Sequence, residues 1–262
     1  MKVEHSNVTI GMVTYNRLEL TKETFTKTLM NTGKLFNLVI CDNNSSDDTI
    51  KWIQDEGVHM LPNLAGFVLK KLSENKGIAY GRNKCLNLTK KYFLKTEYIC
   101  TLDNDVAIPN KNWLQDCCDV LDISDKYGCC AVNFEKKPFP QTTLKTKDGR
   151  DIKVKIIINT PGTACTVFKQ DIVKKLGYFK RYANGVYGHE DANWFVRVKR
   201  LNKILFYLAE DGIHLGEGEI DTGEYRDMKT KIFNKNRHLF VEDMYAYSRG
   251  TKGLYLDFEE EE

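Results

Sequence analysis

Three short, mainly apolar runs, each broken off by a polar cluster, constrain this chain more than any other feature. They are VTIGMV from Val8 to Val13, FNLVIC from Phe36 to Cys41 and YICTL from Tyr98 to Leu102. Runs this short, rich in β-branched residues and without polar alternation, suit strands buried on both faces. Between them lie segments with helical spacing or helix-start signals: Leu18 to Met30, Thr49 to Glu56 behind the cap-like Ser46-Asp47-Asp48, and Ile78 to Leu94. A further strand is expected over Val68 to Leu72 and a helix from near Pro109 to about Leu121. Alternating strands and helices predict a largely parallel, helix-covered sheet, with ligands collecting beyond the carboxyl ends of the strands. The polar clusters after Val13, Cys41 and Leu102 all fall at such ends.

The second half changes character. Strands are expected over Cys129 to Phe134, Thr163 to Phe168 and Ile204 to Leu208, and a hairpin over Thr142 to Thr160 around Lys147-Asp148-Gly149-Arg150. Ile172 to Leu176 reads as a short helix closed by Gly177, and Glu190 to Leu201 and Tyr225 to Tyr247 as helices. The glycine-rich stretch Gly212 to Thr222 reads as a mobile loop, and Glu259 to Glu262 as a solvated acidic tail.

A chain of 262 residues that is 42% hydrophobic suits one large domain. The division expected is a catalytic domain over 1–225, with halves of about 1–107 and 108–225, and a C-terminal helical extension over 226–262. With 39 basic and 36 acidic residues, the net charge of +3 is too slight to imply nucleic acid. The eight cysteines contain no CxxC pair, which excludes the usual zinc spacings, and several sit inside apolar runs as buried, reduced thiols would. No apolar run approaches the roughly 20 residues of a membrane span, and no secretory apolar region precedes the first strand. A cytoplasmic protein is expected, peripheral at a membrane at most.

Five clusters carry chemistry. Asp103-Asn104-Asp105 places two carboxylates just after a buried strand, as hard oxygen ligands for Mg2+ or Mn2+ or as an ordinary turn. Glu190-Asp191 follows Gly188-His189 and opens a helix, where acids serve catalysis or simply complement the macrodipole. His214, between an apolar strand and the glycine-rich stretch, is a metal ligand or a structural histidine. Asp42, with Thr14 and Tyr15, stands where a base or ribose would be held, or where an Asx turn would cap a strand. Lys76 and Arg82, near a helix start, suit a diphosphate or a solvated surface.

The order of these clusters is more specific than any one of them. VTIGMVTYNR, LVICDNNSSDDT, ENKGIAYGRNKCL, YICTLDNDV, GVYGHEDANWFVRVKR and the GIHLGEG loop occur in one line, over residues 7 to 216. The series resembles the family-two glycosyltransferases. The resemblance implies a GT-A-type, Rossmann-like α/β fold: a mixed, mainly parallel sheet covered by helices on both faces. It implies a metal-dependent, inverting transferase that moves a sugar from a nucleotide-diphosphate sugar, commonly a UDP-sugar, to an acceptor hydroxyl. In that scheme Thr14, Tyr15 and Asp42 hold the base and ribose, and Lys76 and Arg82 lie near the nucleotide or its diphosphate. Asp103 and Asp105 are the family's D-x-D pair, flanking Asn104 in the nucleotide-sugar site. Asp105 is the more direct ligand of Mn2+ or Mg2+, Asp103 is shared between ribose and metal, and His214 is a further metal or diphosphate contact. Asp191 is the general base and Glu190 supports the acceptor site.

Two departures stand out. The further acid that relatives often carry two residues after the paired acids is Asn193 here, and the region from Phe134 to Thr160 reads as an added hairpin that does not map onto the family's pattern. The competing readings are a sugar-nucleotide pyrophosphorylase, which would need a glycine-rich loop where Thr14-Tyr15-Asn16-Arg17 stands, and a non-catalytic binding protein on the same fold. Cations crowd the hairpin (Lys145, Lys147, Arg150, Lys153 and Lys155, with Lys136 and Lys137 before it) and the C-terminal segment (Arg226 to Arg237). They suit a solvated face or an anionic acceptor surface; a glycan, a lipid-linked glycan and a modified nucleic acid all stay open as acceptors.

Overall fold

The structure is a computed structural model and describes residues 6–134, 138–158, 162–182, 187–216 and 224–258. The strands are β1 (Val8–Thr14), β2 (Phe36–Asp42), β3 (Leu64–Lys71), β4 (Tyr98–Asp103), β5 (Val106–Ala107), β6 (Tyr127–Asn133), β7 (Gln141–Lys145), β8 (Asp151–Ile156), β9 (Cys165–Lys169), β10 (Ile204–Asp211) and β11 (Ile213–His214). The helices are α1 (Leu18–Thr24), α2 (Thr49–Asp55), α3 (Ile78–Tyr92), α4 (Trp113–Ile123), α5 (Gln170–Leu176), α6 (Glu190–Arg200) and α7 (Glu224–Arg249).

The main sheet runs β3-β2-β1-β4-β9-β6-β10-β8-β7. Its first four strands are mutually parallel. β9 is inserted antiparallel between β4 and β6, β10 parallels β6, and the β7–β8 hairpin continues the sheet antiparallel to β10. β5 and β11 form a separate antiparallel pair. Register then does the positioning: Thr14 lies beside Asp42, and Val13 beside Asp103. Three polar clusters far apart in sequence thereby share one edge.

Period-2 alternation divides the apolar side chains between two faces. Ile10, Met12, Leu38, Ile40 and Leu102 pack with Phe25, Ile53 and the Trp113–Leu121 stripe of α4. On the other face α3, α5 and α6 pack over Ile99, Cys129, Ala131 and Val13. Strands covered on both sides explain the mainly apolar runs. α3 lies close to β1 because residue 81 is glycine: a Cβ there would come within 2.7 Å of Val13. All eight cysteines are buried and none is in a disulfide.

Several boundaries differ from expectation. β3 begins at Leu64 rather than Val68, as a half-buried edge strand that runs through Gly66. α4 begins at Trp113, because Asn110 first makes a turn in which its side chain accepts from the Asn112 N–H at 2.8 Å. The Leu18–Met30 segment is α-helical only to Thr24 and then makes a π turn over Phe25–Leu29, closed by Met30 N–H to the Phe25 carbonyl at 2.8 Å. The Gly212–Thr222 stretch is described only to Gly216; residues 217–223 and the tail 259–262 lie outside the described residues.

The C-terminal segment is docked on the sheet-covering helices. His189 stacks between Phe233 and Phe240, at centroid distances of 3.9 and 4.8 Å. Leu256 exchanges backbone hydrogen bonds with Leu176 and Tyr178, and Phe258 packs on Tyr80 and Tyr178. Fully buried Arg197 holds this region by donating to the Leu176, Tyr178 and Leu254 carbonyls at 2.6, 2.6 and 3.1 Å. Burial pulls its pKa down to about 10.

Candidate active site

The site is built at the carboxyl edge of β1, β2 and β4 and at the start of α6. Its centre is Arg82, one turn into α3 and 5% exposed. One nitrogen, Nη1, donates to Asp191 Oδ1 at 2.6 Å and lies 3.5 Å from Glu190 Oε1. The other, Nη2, donates to Asp103 Oδ1 at 3.0 Å. Burial opposes the charge on Arg82, but Asp191, Asp103 and Glu190 outweigh it and hold the guanidinium above its usual range. Asp103 of one acid pair and both acids of the other thus converge on one buried cation. The neighbouring Asn83 fixes this geometry: its amide donates to the Phe179 carbonyl at 3.0 Å and accepts from the Phe179 N–H at 2.8 Å.

Asp191 is oriented from three directions. Besides Arg82, the Thr163 hydroxyl donates to Oδ1 at 2.6 Å and the Thr163 N–H to Oδ2 at 3.2 Å. Thr163 is itself fixed by its carbonyl, which accepts from the Thr101 hydroxyl at 2.8 Å. Glu190 is almost fully buried and accepts from the Gly188 N–H at 2.9 Å. Burial, and then the charge of Asp191, push its pKa up to about 7, with Arg82 pulling the other way. Lys76 lines a small cavity together with Glu190, Ala79, Arg181 and Asn236, and lies 5.2 Å over the Tyr80 ring.

At the ends of β1 and β2, Tyr15 is 42% exposed, whereas Thr14 and Asp42 are fully buried. Asp42 Oδ1 accepts from the Ser45 N–H at 2.8 Å; Oδ2 accepts from the Thr14 hydroxyl at 2.8 Å and the Ser45 hydroxyl at 2.5 Å. Its carboxylate therefore ties the loops after β1 and β2 together. Asn104 is also turned inward, donating to the Thr21 hydroxyl at 2.9 Å. It belongs to a set of contacts from the buried threonines of the first helix. Thr24 accepts from the Val106 N–H at 3.0 Å, and Thr28 accepts from the Ile108 N–H at 3.1 Å and donates to the Val106 carbonyl at 3.0 Å.

That threonine ladder presents Asp105. Asp105 Oδ1 faces His214 Nε2 at 3.7 Å, and Oδ2 accepts from Arg17 Nη1 at 2.9 Å. The β5–β11 pairing sets this approach by placing His214 beside Val106. Asp103 points to Arg82 instead, and among the described residues no three acidic, histidine or cysteine side chains cluster to hold a metal ion. Asp105 and His214 nonetheless suit a cation that takes two protein ligands and completes its shell with diphosphate oxygens and water. His214 Nδ1 is buried with no hydrogen-bond partner among the described residues. Gly216 leaves room beside both groups: a Cβ there would come within 3.4 Å of Asp105 Oδ2 and 3.8 Å of His214 Nδ1. Two ligands each about 2.1 Å from one ion span at most about 4.2 Å, which accommodates the 3.7 Å separation.

Three contributors lie outside the candidate residues read from the sequence: Thr163 behind Asp191, Arg17 on Asp105, and the threonine ladder. Only the spacing of Thr21, Thr24 and Thr28 along one helix face hinted at the ladder. The missing acid at Asn193 is answered from elsewhere: Asn193 donates to Asp243 of α7 at 3.2 Å and accepts from Arg197 at 2.9 Å. The hairpin cations are partly engaged, since Arg150 pairs with Asp116 and Asp119 of α4 and Lys155 with Asp211. Lys136 and Lys137 lie outside the described residues, as do the side chains of Arg226 and Lys229. No described helix is long and apolar enough to cross a membrane.

Comparison with known proteins agrees with this architecture. Among curated proteins, none matches the sequence. Solved structures do match the fold. A mannosyltransferase from Pyrobaculum calidifontis, in complex with GDP-Man and Mn2+, superimposes with a TM-score of 0.64 at 15% identity, over 95% of this chain and 66% of its own. TarS 1–349 from S. aureus in complex with UDP gives 0.59 at 18% identity, over 94% of this chain and 76% of its own. GalNAc-T7 with UDP, GalNAc and Mn2+ gives 0.60 at 11% identity, over 92% of this chain but 49% of its own. The fold is GT-A, and this chain spans just under two thirds of the mannosyltransferase and about half of GalNAc-T7. The glycosyl transferase family 2 model matches residues 9–177, well over half of the sequence, and the chain belongs to that family.

Proposed function

We propose that this protein transfers a sugar from a nucleotide-diphosphate sugar, a UDP-sugar by preference, to an acceptor hydroxyl with inversion, with Asp191 as general base and a divalent cation, Mn2+ or Mg2+, at Asp105 and His214. The observation that carries the reading is Arg82, which joins Asp103 on the donor side to Asp191 and Glu190 on the other. A transferase needs its donor acids and its base within reach of one reacting carbon, and one guanidinium is that span. The nucleotide diphosphates and Mn2+ held by the structural neighbours support the donor class.

In this reading the exposed Tyr15 meets the base, while Thr14 and Asp42 act through Ser45 to shape the loop beneath it. Asp103 takes the ribose, Lys76 and Arg82 lie near the nucleotide or its diphosphate, and Glu190 supports the acceptor site. Asn104 acts by holding the D-x-D turn to α1. A divalent cation supplies charge neutralisation for the departing diphosphate when bound. Asp191 Oδ2, which accepts from the Thr163 N–H at 3.2 Å, takes the acceptor proton as the hydroxyl attacks opposite the diphosphate. Arg82 and Thr163 keep that carboxylate in place during the transfer.

Calorimetric titration with UDP, dTDP, GDP and their common sugars, with and without Mn2+, tests this. One nucleotide that binds tightly and only with Mn2+ is expected, with that binding lost in Asp105→Ala. Folded protein that binds none of them refutes the transferase reading in favour of a relative that kept only the fold.

A further inference from the structure

We propose that Arg17 is the resident counter-cation of Asp105, and that a divalent cation enters by displacing it together with the donor diphosphate, so that metal and nucleotide bind as one unit. The proposal rests on the Asp105–His214 reading above.

Arg17 stands where local rules disfavour it. It occupies the N-cap position of α1, where Ser, Thr, Asp or Asn would supply a cap, and it makes no side-chain cap. A cation at a helix N-terminus also meets the positive end of the macrodipole. Both Asn16 and Arg17 are left-handed, with φ of 55° and 66°, a conformation non-glycine residues adopt only when their surroundings enforce it. Here they do. The Asn16 N–H donates to Ser45 Oγ at 2.8 Å, Asn16 Oδ1 accepts from the Ser46 N–H at 2.9 Å, and the Leu18 N–H donates to Asp47 at 3.1 Å. This enforced turn brings Arg17 Nη1 to Asp105 Oδ2 at 2.9 Å, between side chains 21% and 9% exposed. Departures from local preference that converge on one acid mark a functional placement.

The chemistry follows from burial. A carboxylate this enclosed needs a compensating charge. Arg17 supplies it on Oδ2, while Oδ1 and His214 stay 3.7 Å apart and Gly216 keeps the adjoining space open. A cation arriving alone must compete with a guanidinium already in place. One arriving with a diphosphate brings further oxygen ligands, and the freed guanidinium gains an anion to pair with. Arg17 thereby sets the order of assembly.

The test measures Mn2+ binding, not turnover, by the loss of the free aquo-Mn2+ EPR signal on titration into the full chain at pH 8, with and without UDP. Wild type is expected to bind Mn2+ weakly alone and much more tightly with UDP. Arg17→Gln is expected to bind Mn2+ alone at least about tenfold tighter, a change of about 1.4 kcal/mol, so that UDP adds less. Arg17→Lys, which keeps the charge, is expected to fall between them and serves as the second variant. Equal Mn2+ affinities without UDP for wild type, Arg17→Gln and Arg17→Lys overturn the proposal while leaving the metal site standing. Mn2+ that binds Asp105→Ala as tightly as wild type, with or without UDP, overturns the metal site itself and the proposal with it.

Discussion

Arg82 Nη1 donates to Asp191 Oδ1 at 2.6 Å across 109 residues of sequence. That bond, with its counterpart to Asp103, makes Asp103, Arg82 and Asp191 one electrostatic unit. Substitutions around it have consequences of different kinds.

Asp191→Asn keeps the shape of the side chain but cannot take up a proton. Transfer is expected to fall by about 10²–10⁴-fold, the range for loss of a general base, while donor affinity by calorimetry stays unchanged. Near wild-type transfer would remove Asp191 as the base.

Arg82→Met removes the cation from three acids, of which Glu190 is itself buried. Breaking a buried ion pair from one side costs about 3–5 kcal/mol. A drop of that size in urea stability is expected, with Arg82→Lys recovering part of it. A loss under about 1 kcal/mol would show that solvent reaches the acids.

Glu190 has a pKa raised from the usual 4.5 to about 7 in the folded protein. Its protonated form therefore favours the fold fully below about pH 4.5, and this contribution is lost as pH rises through 7. Glu190→Gln cannot ionise, so it is expected to stabilise the protein by about 1–3 kcal/mol at pH 8 relative to its effect at pH 4. Thermal melting of both proteins across this range is the check; a difference that does not change with pH contradicts the assignment.

Thr24→Val orphans the buried Val106 N–H, one residue after Asp105. A stability loss of about 1–3 kcal/mol is expected, with weaker Mn2+-dependent nucleotide binding. Thr26→Val is the control, since the Thr26 hydroxyl bonds only carbonyls of its own helix.

Gly216→Val places a side chain beside Asp105 Oδ2 and His214. Mn2+ affinity in the presence of UDP is expected to fall about tenfold or more, roughly 1.4 kcal/mol, with the thermal stability of the metal-free protein little changed. Unaltered Mn2+ affinity would place the cation elsewhere.

Much of this was legible from residue order. The apolar runs ending at Val13, Cys41 and Leu102 announced buried parallel strands, because strands covered on both faces need no polar alternation. The polar clusters behind them marked the edge where a site would form, and the Glu190-Asp191 and Asp103-Asn104-Asp105 pairs marked its acids. What the sequence by itself determined was therefore the strand–helix alternation, the edge bearing the polar clusters and the set of candidate acids, all of which depend on neighbours along the chain. Only the tertiary structure decided how they are shared: Asp103 goes to Arg82, Asp105 to Arg17 and His214, Asn104 turns inward to Thr21 and Asp42 to Thr14. Such partners lie tens of residues apart and are chosen by strand register, by the approach of α3 over Gly81, and by which buried charge must be compensated. Those are properties of packing in three dimensions, and no local pattern encodes them.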